Sequence, residues 1–346
     1  MKEPAHKTLI DRYLSWDLVK ERLGRYKNIS AFFKLADLQD CANRAPFYCH
    51  YLAWRLGTWE DEEWFEFFDT LLGNAAKLPG WNRTRIPQGC EFENFWSFLW
   101  ELQVAQMFSN HQASVEWTHS GPDLKVNSTS GQFFVECTIY RKSFGLEDFI
   151  GELLAHIHFQ IHVRHIPFTI FSLPKNKNLE PFLDELCKPF LDDSFLEKKL
   201  KEVEEISPVR LPTPHETENL YIFIENHNAK NFNPDQPWAA TGSPETFLDV
   251  NVKEVLDNKR SSNELKLHRP NLLAVNLLLG VDFQLANAVR GTIPTPNLGT
   301  EFDGVFFTAC GIDNIPLLNA FIHFYDNHPI KELLTSFWCE TRTAAH

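Results

Sequence analysis

Gly121-Pro122-Asp123-Leu124-Lys125-Val126, then Asn127-Ser128-Thr129-Ser130-Gly131, then Gln132-Phe133-Phe134-Val135-Glu136-Cys137-Thr138-Ile139-Tyr140 is the stretch on which the fold turns. The last nine residues alternate. Phe133, Val135, Cys137 and Ile139 fall on one face of an extended strand, and Phe134, Glu136, Thr138 and Tyr140 on the other. The Gly-Pro pair marks a turn that delivers Asp123 to the start of the preceding strand. Joined through Ser128-Thr129-Ser130-Gly131, the two strands form a hairpin in which Asp123 and Glu136 are near neighbours. A carboxylate in so apolar a strand costs several kcal/mol unless it is solvated, hydrogen-bonded or matched by a cation. Two converging carboxylates with room for water make the hard-oxygen site that Mg²⁺ prefers, and a bound Mg²⁺ polarises a phosphate and acidifies water.

Working outward, a helix is expected over about 91–110, with strand-like runs at 113–118 and 124–126 before the strand at 132–140. A helix over about 146–164 and a strand at 168–173 follow. The order is α-β-β-β-α-β. Pro122-Asp123, then Glu136-Cys137-Thr138 in an apolar strand, preceded by a helix bearing Glu101-Leu102-Gln103-Val104-Ala105, resembles the PD-(D/E)XK nuclease superfamily over about a quarter of the chain. The resemblance implies a restriction-endonuclease-like α/β fold, with a mixed central sheet flanked by helices. It also implies Mg²⁺ or Mn²⁺ held by Asp123 and Glu136 with help from Glu101, and hydrolysis of DNA or RNA phosphodiesters. In that family a Lys two residues after the Glu orients the attacking water. Here Thr138 stands at that position, which removes a positive charge useful in the transition state. Lys142, beside Arg141 just past the strand, and Lys125 are alternative donors. A second reading follows from Thr138: a catalytically inactive nuclease-fold protein that binds or scaffolds.

Upstream, Ala45–Leu56 and Glu60–Leu72 repeat apolar residues at helical spacing, and Leu78–Gly89 carries two Pro and two Gly without periodicity. These features predict a helical N-terminal region over 1–90 and a nuclease-like α/β domain over 91–346. Within that domain the core motifs occupy 91–175, and strands and loops continue over 176–346. The later elements expected are a helix at 193–205 and strands at 220–225, 272–279 and 304–309.

Composition sets the outer bounds. The 346 residues are 43% hydrophobic and 23% charged, with thirty Phe and ten Trp, enough apolar surface for a packed chain. Seven scattered Cys without a C-x-x-C pair imply reduced thiols, and the N-terminus has no apolar signal-like run, so a cytoplasmic protein without membrane association is expected. A net charge of −13 excludes a protein that coats nucleic acid by overall attraction, so contact with it must be local. Residues 1–34 hold eight Lys/Arg against four Asp/Glu, whereas 171–346 hold sixteen against twenty-five. The acidic C-terminal half is therefore a candidate surface for a protein partner.

His158, His162 and His165 have the spacing of one helical face, which fits an amphipathic surface better than a zinc site. Glu225-Asn226-His227-Asn228 and Asp303 read as strand-end turns. Cys137 points to the apolar face and ranks last as a nucleophile, because that role needs an activating His. P-loop, dinucleotide-binding, serine-hydrolase and zincin motifs do not occur in the sequence.

Overall fold

The computed structural model describes residues 5–41, 50–58, 62–82, 86, 92–110, 113–129, 131–139, 168–170, 184, 187–207, 209–211, 222–224, 229–232, 259, 267–276, 302–308 and 321–324. Two units make up the chain. One comprises Met1–Asp61, Gln88–Asn94 and Ser143–Thr241, and the other Glu62–Pro87, Phe95–Lys142 and Gly242–His346.

In the first unit, helices α1 (Ala5–Tyr13), α2 (Trp16–Arg25), α3 (Lys27–Phe32), α4 (Leu35–Cys41) and α5 (Tyr51–Thr58) follow one another. Ser15 starts α2 by accepting the Leu18 N–H at 3.3 Å, satisfying one of the donors that a helix N-terminus leaves open. Helix α5 approaches α2 closely because Gly57 lacks a side chain. A Cβ there would stand 2.2 Å from Leu14 Cδ1 and 3.0 Å from Val19 Cγ2. Farther along, β4 (Phe168–Ile170), β6 (Val209–Leu211) and β7 (Ile222–Ile224) form an antiparallel sheet in the order β4-β7-β6. Strands β5 (Ile206–Ser207) and β8 (Asn231–Phe232) pair in parallel. Helix α8 (Asp193–Glu205) buries Leu196, Leu200 and Val203 at helical spacing and is capped by Asp192, whose carboxylate accepts the Ser194 N–H at 2.9 Å. The expected strand at 168–173 exists as β4, but it pairs with β7 and takes no place in the central sheet.

The second unit carries that central sheet. Strands β1 (Ser114–Trp117), β2 (Leu124–Ser128), β3 (Gly131–Ile139), β9 (Asn271–Asn276), β10 (Gly304–Thr308) and β11 (Phe321–Phe324) run in the order β1-β2-β3-β9-β10-β11. The first three form an antiparallel meander, β9 is parallel to both β3 and β10, and β11 closes the edge antiparallel to β10. The protein is thus mixed α/β with a mixed sheet, and its C-terminal part completes the sheet begun by the hairpin. All six residues of β9 are buried, as expected of a strand covered on both faces.

Helices α6 (Glu62–Ala75) and α7 (Phe92–Asn110) pack in this unit. Trp64 stacks on Phe68 at 5.2 Å between centroids, and Phe68 meets Phe95 of α7 at 5.4 Å. Phe95, Phe98, Leu99, Trp100, Leu102, Val104, Ala105 and Phe108 of α7 are buried, so the helix is apolar nearly all round and lies in the core. It is fixed to the sheet at two points: Trp100 Nε1 donates to Ala274 O at 3.1 Å, and Phe108 meets Phe133 edge-on at 5.4 Å. Trp117 Nε1 donates to Ala75 O at 3.0 Å, tying α6 to β1. Among the described residues no helix is long and apolar enough to cross a membrane. The expected helix at 146–164, with His158, His162 and His165, lies outside the described residues, as does Glu225-Asn226-His227-Asn228.

Candidate functional site

The hairpin places the carboxylates. Leu124 pairs with Val135, so one step further Asp123 stands beside Glu136. Ahead of it Gly121 adopts φ +90, a conformation that L side chains rarely enter, and Thr118 N donates to Asp123 O at 3.1 Å, carrying the β1–β2 pairing into the turn. Asp123 Oδ2 accepts the backbone N–H of Cys137 at 2.8 Å. The turn thus locks Asp123 against β3 next to Glu136.

Strand β3 alternates as its sequence predicts, with Phe133, Val135 and Cys137 buried on the face that meets α7. On the other face Glu136 is only 7% exposed. Its partner is Lys259, whose Nζ donates to Oε1 at 2.5 Å. Burial alone pulls the Lys259 ammonium toward a lower pKa. The Glu136 charge and hydrogen bond, followed by the charge of Asp123, outweigh burial and hold it above the ordinary lysine value. The Cys137 thiol is pushed well up, first by burial and then by the charges of Asp123, Glu101 and Glu136, with Lys259 opposing. It stays protonated and is a poor nucleophile.

Glu101 sits half-buried on α7, close enough for its charge to act on Cys137. Thr138 is half-buried on the Glu136 face and supplies no charge; its hydroxyl lies 3.5 Å from Ile139 O. Lys142 and Arg141 lie outside the described residues. Lys125 is turned toward Glu116 of β1, 3.8 Å away, a half-exposed pair of little energetic consequence. Asp303 has a structural role: its Oδ2 accepts the Asn271 N–H at 2.8 Å, while its own N–H donates to Asn271 Oδ1 at 3.0 Å, joining the starts of β9 and β10.

Lys259 is the residue that reading the sequence missed. It is separated from Glu136 by 123 positions, and neither periodicity nor motif spacing connects the two. The available signal was the Lys259-Arg260 pair within an otherwise acidic half of the chain.

Asp123 and Glu136 present hard oxygen donors side by side, a set that fits Mg²⁺ or Mn²⁺ bound through one or two carboxylates and completed by water. Among the described residues no group of three or more His, Cys, Asp or Glu side chains is placed to hold a metal, so Glu101 does not join the other two as a third ligand in this arrangement. No family model, curated protein or solved structure matches the chain.

Proposed function

We propose that the second unit is a PD-(D/E)XK-like nuclease that hydrolyses DNA or RNA phosphodiester bonds, with Asp123, Glu136 and Lys259 as its working residues. The observation that carries this reading is the Lys259–Glu136 pair beside Asp123. It returns to the hairpin the cation that Thr138 fails to supply. Asp123 and Glu136 would hold the metal, which when bound supplies Lewis-acid polarisation of a phosphoryl oxygen and an acidified water. The ammonium of Lys259, held in its charged form by its carboxylate neighbours, stabilises the negative charge that builds on the phosphoryl oxygens and aligns the attacking water through its N–H donors. Asp123 is kept in place by the Cys137 N–H, so its position costs no reorganisation during the reaction.

The test is cleavage of plasmid, single-stranded DNA and RNA with Mg²⁺ or Mn²⁺, comparing the wild type with Asp123→Asn, Glu136→Gln and Lys259→Met. Activity lost in all three variants is the expected result. Equal cleavage by wild type and variants overturns the assignment. A second reading, a nuclease-fold protein that binds without cutting, draws on Glu136 already being neutralised by Lys259. Nucleic-acid binding without cleavage in any metal would select it.

A further inference from the structure

The segment 267–270 leads into β9 alongside β3, on the hairpin that carries the carboxylate pair. Phe134 N donates to Pro270 O at 2.9 Å, which pins the segment to β3 two residues before Glu136, or about 7 Å along the strand. His268 lies against Phe134, with ring centroids 5.0 Å apart and planes tilted by 45°. On its other side is the turn that carries Asp123: a Cβ on Gly121 would stand 2.7 Å from His268 Nε2. The imidazole therefore lies between Phe134, on the Glu136 face of β3, and the turn at Gly121, two residues before Asp123. Next to it, the Arg269 side chain is 46% exposed, with Nη1 3.5 Å from Asp303 Oδ1. Asp303 is in turn fixed by Asn271, so the partly exposed guanidinium is held by a carboxylate that is itself anchored.

We propose that His268 and Arg269 form a phosphate-binding clamp that holds the backbone of a nucleic acid on one side of the Asp123–Glu136 pair. This rests on the nuclease-like reading given above and adds the substrate contact to it. A chain with a net charge of −13 cannot attract a polyanion as a whole, so binding must come from cations placed locally. Arg269 supplies such a charge in a planar fork of donors suited to phosphate oxygens. Imidazole carries at least one N–H, a donor that a phosphate oxygen can accept.

The experiment is fluorescence anisotropy of the full chain, in chelator to prevent cleavage, with a short fluorescein-labelled single-stranded DNA, duplex DNA or RNA over a range of salt concentrations. His268→Ala, Arg269→Ala and Arg269→Lys are compared with Lys198→Ala, which removes an exposed charge from α8. The expected result is about tenfold weaker binding for Arg269→Ala, with the slope of log affinity against log salt reduced by about 0.9 on duplex or 0.7 on single strands. Arg269→Lys should keep the slope, His268→Ala should weaken binding, and Lys198→Ala should change neither. A merely structural role would lower the melting temperature without moving the slope. Wild-type affinity and slope in both alanine variants, while Asp123→Asn still abolishes cleavage, overturns the clamp alone. A wild type that neither binds nor cleaves any probe overturns the clamp together with the nuclease reading.

Discussion

Lys259 Nζ lies 2.5 Å from Glu136 Oε1, joining two residues 123 positions apart into one ion pair against the middle of β3. The Glu136 side chain is only 9% exposed, and Lys259 offsets a large part of the cost of burying its charge. Removing Lys259 strands a buried carboxylate, which costs about 3 kcal/mol, whereas removing both charges costs much less. Lys259→Met is therefore expected to melt well below the wild type, with Lys259→Met/Glu136→Gln recovering most of the loss. Similar melting temperatures for wild type and Lys259→Met would mean that the pair is solvated.

The pair also sets a pH dependence. Lys259 is held above the ordinary lysine value in the folded protein, so the stability it contributes is fully present below the unfolded value of about 10.4. It is lost as pH rises through the higher folded value. The stability difference between wild type and Lys259→Met/Glu136→Gln, in which no buried carboxylate is left to titrate, should stay constant from neutral pH upward and shrink only in the alkaline range above the unfolded value. A difference that shrinks between neutrality and that value would show that the ammonium is not held up.

If Lys259 replaces the charge missing at Thr138, the two positions should be interchangeable in part. Thr138 and Glu136 lie on the same face of β3, about 7 Å apart along the strand, within reach of a lysine stem. Lys259→Ala is expected to lower the cleavage rate by about 10²–10³-fold, the scale of losing one preorganised charge donor. Adding Thr138→Lys to that variant should restore at least about tenfold of the loss, because transition-state charge responds to where a cation sits and not to which strand carries it. Single-turnover rates of the three proteins check this, and no recovery would separate the role of Lys259 from that of a motif lysine.

The sequence exposed the hairpin because everything that defines it is local. The period-two alternation of Phe133 to Ile139 and the Gly121-Pro122 turn fixed register and faces, and β2 and β3 pair as that pattern requires. The same pattern was silent about neighbours. Strand β9 lies beside β3 although it begins more than a hundred residues later, while β4, the next strand among the described residues, pairs elsewhere. A buried strand such as Asn271–Asn276 reads as an apolar run, which shows that it is covered and not by what. The same limit hid Lys259: an ion pair between residues 123 positions apart leaves no periodic trace. Thr138 leaves the resemblance's lysine position uncharged, and the cation proposed to stand in for it, Lys259, is brought to the hairpin only by tertiary structure.

Gly80 provides a test of how α6 and β1 are joined. It adopts φ +76, and a Cβ there would stand 2.0 Å from the Trp117 backbone oxygen. Nearby, Trp117 N donates to Pro79 O at 2.8 Å, so the loop cannot retreat without breaking that bond. Gly80→Ala combines left-handed strain of about 1 kcal/mol with a backbone clash and a loosened hydrogen bond, for a loss of about 3 kcal/mol. Chemical denaturation monitored by Trp fluorescence would measure it, and a loss under about 1 kcal/mol would mean that the loop shifts freely.

Asn271 and Asp303 provide the last test, because two similar substitutions there should differ. Asn271 is fully buried, and its Oδ1 is the acceptor for Asp303 N while its own N–H is held by Asp303 Oδ2. Asn271→Ala removes the acceptor and leaves the Asp303 N–H without its partner, at a cost of about 2 kcal/mol. Asp303→Asn keeps a carbonyl oxygen able to accept the Asn271 N–H and leaves the Asn271 acceptor intact, so it should cost about 1 kcal/mol. It also removes the negative charge beside Arg269, 3.5 Å away, leaving that guanidinium less neutralised. Urea denaturation should therefore rank wild type above Asp303→Asn and Asp303→Asn above Asn271→Ala. The anisotropy assay should show Asp303→Asn binding oligonucleotide at least as tightly as wild type. Weaker binding would mean that the carboxylate is needed to aim Arg269, and that its anchoring outweighs its charge.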